Sequence, residues 1–237
     1  MSQITQKIIG IVGPTQSGST MLYNMVRLIY EKSGYSVDSC FITHFYLKSY
    51  NKNAQILIVK CHDYDYELDK NHDLLLLPIR DFRDCALSWK NRYKSTATDS
   101  DIINSIINNI SRFKCWEHKS FILRYEDYKL NCHKYLDQLL FILGVNLSKQ
   151  KKDEIIKEVY NIYNNNLNPS NDIMNDPNQY EALLQDEEYK KTLTTQNHNT
   201  SNGIINKYKL EMGLVLQSKI SKNKYITEVL KQFGYSC

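Results

Sequence analysis

Residues 13 to 20 read Gly-Pro-Thr-Gln-Ser-Gly-Ser-Thr, with four residues between the two glycines and two hydroxyl side chains directly after the second. Glycines at this spacing let the backbone curl until successive N–H groups face one point, and a helix starting there adds the positive end of its dipole. A phosphate-like group is what such a loop holds. The NTP-hydrolysing version carries a lysine after the second glycine, where it reaches the outer phosphates, and here that position is Ser19. The spacing therefore predicts anion binding and argues against an ordinary NTPase; a glycine turn that merely connects two elements is the alternative.

Two further clusters carry chemistry. Arg80 follows the apolar run Leu74 to Ile79 in the segment Arg80-Asp81-Phe82-Arg83-Asp84. A guanidinium at the end of a buried strand stands where open α/β sheets collect ligands, and its planar fork suits phosphate, the other reading being a charge cluster that caps a helix. Lys60-Cys61-His62 closes the run Ile56 to Val59. A histidine can take a proton from a hydroxyl at neutral pH, and a lysine two residues away on the same strand face can offset developing negative charge. A lone histidine after a strand is more often structural, so this pair gains weight only in company.

The elements that must hold these residues follow from hydrophobic patterning. Lys7 to Val12 is a continuous apolar run ending at Gly13, as a strand buried on both faces reads, and Leu22, Met25, Val26 and Ile29 recur at helical spacing between Ser19 and Lys32. Further strand-like runs lie at Ser36 to Thr43, Gln55 to Lys60, Asp73 to Ile79 and Ser120 to Tyr125. A helical stripe (Ile103, Ile106, Ile107, Ile110, Phe113) separates the last two. Then Leu136, Leu139, Leu140 and Leu143 form a stripe closed by Gly144, and Ser148 caps a helix with Ile155, Ile156 and Val159. The Asn-rich stretch Asn164 to Gln179 reads as a loop, and Lys207 to Lys219 and Ser221 to Phe233 as two short helices. The fold class is therefore α/β: a mostly parallel central sheet flanked by helices, P-loop NTPase-like, with a helical C-terminal part packed on, all 237 residues forming one domain.

Composition narrows the classes. Thirty Lys and Arg against 26 Asp and Glu leave a formal charge of +4, too little to mark a nucleic-acid or membrane-surface binder but compatible with an anionic small ligand. No apolar run approaches the roughly 20 residues of a membrane span, and the N-terminus does not read as a secretory signal. The six cysteines are scattered without a C-x-x-C pair, which reads as a reducing cytoplasm and no structural zinc. Oligomeric state is not legible.

Taken together and in order, these segments resemble the sulfotransferases that use 3′-phosphoadenosine 5′-phosphosulfate (PAPS), from residue 7 to about 210. Pro14-Thr15-Gln16-Ser17-Gly18-Ser19-Thr20 is similar to the family's P-[KR]-S-G-T-T loop for the 5′-phosphosulfate, one residue longer and with Gln16 where a cation is usual. Arg80 to Ser88 resembles R-[DN]-P-[RK]-D-x-x-x-S, whose Arg and Ser hold the 3′-phosphate, with Phe82 in place of Pro. Lys60-Cys61-His62 resembles K-[TS]-H, which carries the base, and Tyr125-Glu126-Asp127 the strand-end Y-E-D, whose Tyr approaches the adenine side. Ser201, Asn202 and Gly203, followed by Lys207 and Tyr208, are similar to the loop that folds over the 3′-phosphate.

The resemblance implies transfer of a sulfuryl group from PAPS to a hydroxyl or amine, without a metal. Thr15, Gln16, Ser17, Gly18, Ser19 and Thr20 would cradle the phosphosulfate, Arg80, Ser88, Tyr125, Ser201, Asn202 and Gly203 the rest of the nucleotide, His62 would be the base and Lys60 its charge partner. Asp63 is the alternative base, since some branches use a carboxylate there. The acceptor, a small molecule or glycan, would meet the segments Tyr35 to Asn53, Lys90 to Asp101 and Asn164 to Gln179. Two other functions stay open: a P-loop kinase of a small metabolite, with Arg80 or Arg83 clamping the transferred phosphate, and a nucleotide-binding module without catalysis.

Overall fold

A computed structural model describes residues 6–42, 45, 53–93, 96–164, 191–194 and 203–236, with the side chains of 163 and 164 left aside. Strands β1 (Lys7–Ile11), β2 (Val37–Phe41), β3 (Ile56–Lys60), β4 (Leu74–Ile79) and β5 (Phe121–Arg124) pair in the order β2-β3-β1-β4-β5, every neighbouring pair parallel. Parallel pairing brings all five carboxyl ends to one edge. Because β3 and β4 both flank β1, the loop after β1 lies between the residues that follow those two strands.

Alternation along the strands builds two cores. Ile9, Ile11, Ile56, Ile58, Leu76 and Leu123 face one side, where they pack on α1 (Ser19–Lys32), α6 (Cys132–Leu143) and α7 (Lys149–Asn164). Ile8, Val12, Leu57, Val59, Leu75 and Leu77 face the other, against α3 (Phe82–Tyr93), α4 (Asp99–Trp116) and the C-terminal helices. Local signals end the helices: a Thr98–Asp101 capping box starts α4, and left-handed Gly144 (φ 70°) closes α6.

Two short helices, α2 (Tyr66–Asn71) and α5 (Tyr125–Leu130), are too brief to show a hydrophobic period and escaped the pattern. α3 lay within the charged segment after β4. The tail forms three helices rather than two: α8 (Lys207–Glu211), α9 (Leu214–Lys222) and α10 (Lys224–Gln232). The extended backbone of Met212 and Gly213 breaks the first, and Asn223 ends the second while its side chain caps the third through the Ile226 N–H. Ile220, Ile226, Val229 and Leu230 are buried in the core, so the tail is packed on. The Asn-rich stretch from 165 onward lies outside the described residues. No described helix is long and apolar enough to cross a membrane.

Candidate active site

The loop after β1 owes its shape to left-handed backbone. Gly13 (φ 105°), Gln16 (φ 60°) and Gly18 (φ 90°) turn the chain back on itself before α1. A Cβ on Gly18 would sit 2.5 Å from Tyr125 Cδ2, so only glycine lets the ring lie against the loop. Gly18 is also the N-cap of α1 and has no side-chain cap, and the first turn carries no acid. The first amides of a 14-residue helix thus have neither a capping side chain nor an acid in the first turn, an end that suits an anion. Side chains brace the loop instead of filling it: Ser17 Oγ donates to the Pro14 carbonyl at 2.7 Å, which leaves its backbone N–H as its contribution. Thr15 gives both N–H and Oγ1 to Asn109 Oδ1, at 2.8 and 3.0 Å.

β3 supplies one flank. Lys60, 6% exposed, donates from Nζ to Thr20 Oγ1 at 2.6 Å. Burial, reinforced by the Arg92 charge, pulls its pKa from 10.5 down to about 7. His62 lies past the strand end with Nδ1 2.9 Å from the Gly13 carbonyl. A carbonyl can only accept, so Nδ1 carries the hydrogen and Nε2 keeps its lone pair. Removal from water and the Lys60 charge lower the imidazole pKa to about 3, against which the Gly13 carbonyl works only in part. The ring is therefore neutral at physiological pH, with the free lone pair on Nε2. Asp63, the other candidate, is 74% exposed at its side chain and pairs with Arg112 at 2.8 Å. Phe41, 41% exposed, lies with its ring 5.7 Å from that of His62 and 5.5 Å from Lys60 Nζ.

β4 and β5 supply the other flank. Arg80 is 3% exposed; one terminal nitrogen donates to the Ile204 carbonyl at 3.1 Å and stands 3.8 Å from Asp84 Oδ2, while the guanidinium lies 5.0 Å from the Tyr125 ring. Its Nε is buried without a hydrogen-bond partner among the described residues. Ser88, one face along α3, donates to Gln16 Oε1 at 3.2 Å. Gly203 (φ 62°) approaches so closely that a Cβ there would collide with Tyr125 Oη. Arg80, Ser88, Tyr125 and Gly203 thus share one flank of the loop, whereas Ser201 and Asn202 lie outside the described residues. Lys207 turns its ammonium to Glu211 at 3.2 Å.

These residues fit an anion charged at two ends. Strands two apart in a sheet are separated by about 10 Å, and Ile11 pairs with Lys60 on one side and Leu76 on the other, so Arg80 stands four residues beyond the row that holds Lys60. The uncapped helix start and the Lys60 ammonium lie at one end of this arrangement, and Arg80, whose Nε has no partner among the described residues, at the other. The Arg83 guanidinium is engaged within the fold: it donates two hydrogen bonds to Asp81, at 2.9 and 2.6 Å, and stacks 3.6 Å from the Tyr208 ring centre. Among the described residues no group of three or more His, Cys, Asp or Glu could hold a metal ion.

Some contributors left no sequence signal. Asn109 and Arg112 come from α4, far along the chain from the loops they hold. Glu126 accepts from the Asp81 N–H and from Tyr235 Oη, and Asp84 from the Tyr208 N–H, which ties the tail to the segment around Arg80. Asp81, Asp84, Glu126 and Tyr208 fall inside recognisable motifs, whereas Asn109, Arg112 and Tyr235 do not.

No protein-family model matches the sequence, and no curated protein matches it significantly. Solved structures share the architecture. Mouse sulfotransferase SULT7A1 complexed with PAP aligns over 96% of this chain and 89% of its own, with a TM-score of 0.68 at 12% identity. Retinol dehydratase with androsterone and the inactive cofactor PAP aligns over 97% and 82%, with a TM-score of 0.63 at 12% identity. The same enzyme with retinol and PAP gives a TM-score of 0.59 at 13% identity over 97% and 83%. The chain has the fold of PAPS-dependent sulfotransferases.

Proposed function

We propose that the protein is a sulfotransferase that moves a sulfuryl group from PAPS to a hydroxyl or amine of a small-molecule or glycan acceptor. The observation that carries this reading is His62: its Nδ1 is committed to the Gly13 carbonyl of the anion loop, so a neutral Nε2 is presented beside that loop. When bound, PAPS supplies a sulfuryl group whose departure leaves 3′-phosphoadenosine 5′-phosphate (PAP). The backbone amides from Gln16 to Thr20 and the start of α1 hold the phosphosulfate end. Lys60, already bonded to Thr20, neutralises charge on that end, and Thr20 keeps its hydroxyl hydrogen for the ligand. Arg80, Ser88, Tyr125, Ser201, Asn202 and Gly203 hold the nucleoside and the 3′-phosphate. His62 Nε2 takes the proton of the attacking hydroxyl, and the half-exposed Phe41 offers the acceptor an apolar face.

The PAP-bound fold neighbours support the nucleotide class. Asp63 is the weaker base, because its carboxylate is exposed and held by Arg112. Kinase chemistry is disfavoured by Ser19 in place of the loop lysine and by the commitment of Arg83 to Asp81. One observation favours a silent nucleotide binder: Gln16, in the usual cation position, turns its carboxamide to Ser88. Calorimetric titration with PAP, beside ATP with magnesium, tests the class. Metal-independent PAP binding, followed by PAP release from PAPS in the presence of hydroxyl or amine acceptors, is the expected result. Binding of ATP with magnesium alone points to a kinase, and PAP binding without release across phenol, alcohol, sugar and amine acceptors points to the silent module.

A further inference from the structure

Asn109 is 1% exposed, in the middle of α4, and its Oδ1 accepts both donors of Thr15. A backbone N–H can only donate, so the carboxamide oxygen is the atom that faces Thr15, and Nδ2 points elsewhere. That Nδ2 is buried and has no hydrogen-bond partner among the described residues. A carboxamide enclosed this completely ordinarily satisfies both ends, since an unmet buried donor is costly. Here the orphan belongs to the side chain that braces the loop leading into an uncapped helix start, so two independent sets of donors without a partner among the described residues belong to one loop and its brace.

Its neighbours indicate which end of a ligand it would meet. Arg112, three residues along α4, bonds Asp63, so this face of the helix touches the loops after β1 and β3 together. His62 is anchored on Gly13, two residues before Thr15. Asn109 therefore approaches on the side of the base, while Arg80 and Ser88 attend the other flank. Gln16 turns its carboxamide oxygen to Ser88.

We propose that Asn109 binds the sulfonate end of the nucleotide, donating from Nδ2 to a sulfonate oxygen while its Oδ1 holds the loop. This rests on the sulfotransferase reading above. The role is separable from general loop bracing because PAPS and PAP differ by the sulfonate alone. The full chain and its Asn109→Asp variant are titrated with each ligand without metal. Aspartate keeps an oxygen for Thr15 and replaces the donor by an anion. Loss of a hydrogen bond to a charged group predicts that PAPS affinity falls by about tenfold or more while PAP affinity is unchanged. If thermal melting shows that the aspartate variant does not fold, Asn109→Ala serves, with the PAPS-to-PAP affinity ratio as the readout. An unchanged ratio in a folded variant overturns the proposal, whether both affinities hold or both fall, and leaves Asn109 a loop brace. A wild-type protein that binds neither ligand overturns the sulfotransferase reading, and this role with it.

Discussion

Lys60 should make nucleotide binding a pH-dependent event. Its ammonium is almost wholly buried, it has a neutral hydroxyl, Thr20 Oγ1, as its hydrogen-bond acceptor at 2.6 Å, and its pKa stands at about 7 instead of 10.5. An anion delivered to the loop adds the negative charge that burial denied it and moves the pKa back up, so binding takes up a proton, about half of one at pH 7. Above pH 7 the protein must first be protonated to bind, and affinity falls by up to tenfold, about 1.4 kcal/mol, for each pH unit. Between pH 7 and 9 the limiting loss is about 50-fold if the pKa in the complex lies well above 9. In the empty protein the sign is the opposite: the unfolded chain holds a proton that folded Lys60 has lost, so this residue makes stability rise from pH 7 toward 10.5. Titration with PAP at pH 7, 8 and 9, in two buffers of different ionisation enthalpy, reads the affinity and the proton uptake. Lys60→Met should bind more weakly at pH 7 and show no slope. A wild-type affinity that stays flat, or a slope that persists in Lys60→Met, refutes the reasoning.

Replacing His62 with Ala should lower turnover about 10²–10⁴-fold, the usual worth of a general base, and leave the PAP dissociation constant unchanged; single-turnover sulfation measures the first and calorimetry the second. Because burial and Lys60 hold the imidazole pKa near 3, wild-type kcat/KM should show no acid limb near pH 6.5, and a limb there that vanishes in His62→Ala would show the ring to be ordinary. Arg80→Ala should weaken PAP by about 1.5–3 kcal/mol, the value of a charge-assisted bond, and an unchanged dissociation constant removes it from the site. Gly18→Ala forces a side chain into left-handed backbone and onto Tyr125, which should cost about 1–3 kcal/mol in urea unfolding. A neutral result there would mean that the loop does not hold this shape in solution.

Much of this site was visible in the chain because strand ends and loops are local. A buried strand followed by Gly13-x-x-x-x-Gly18 and a helix specifies an anion cradle from backbone sterics alone, and the apolar runs before Lys60 and Arg80 place both at the same edge of any parallel sheet. What local patterning does not contain is order across the sheet. Long-range pairing put β1 between β3 and β4, and only that arrangement sets Lys60 and His62 on one flank of the loop and Arg80 on the other. Packing then decided which side chains remain free. Arg80 and Arg83 look alike in sequence, yet Arg83 is spent on Asp81 and Tyr208 while the Nε of Arg80 has no partner among the described residues. His62 acquires its tautomer from a carbonyl 49 residues earlier, and Thr15 its brace from Asn109, 94 residues later. A hydrogen bond depends on separation in space and a sequence pattern on separation along the chain, so the chemistry was readable before folding and its assembly was not.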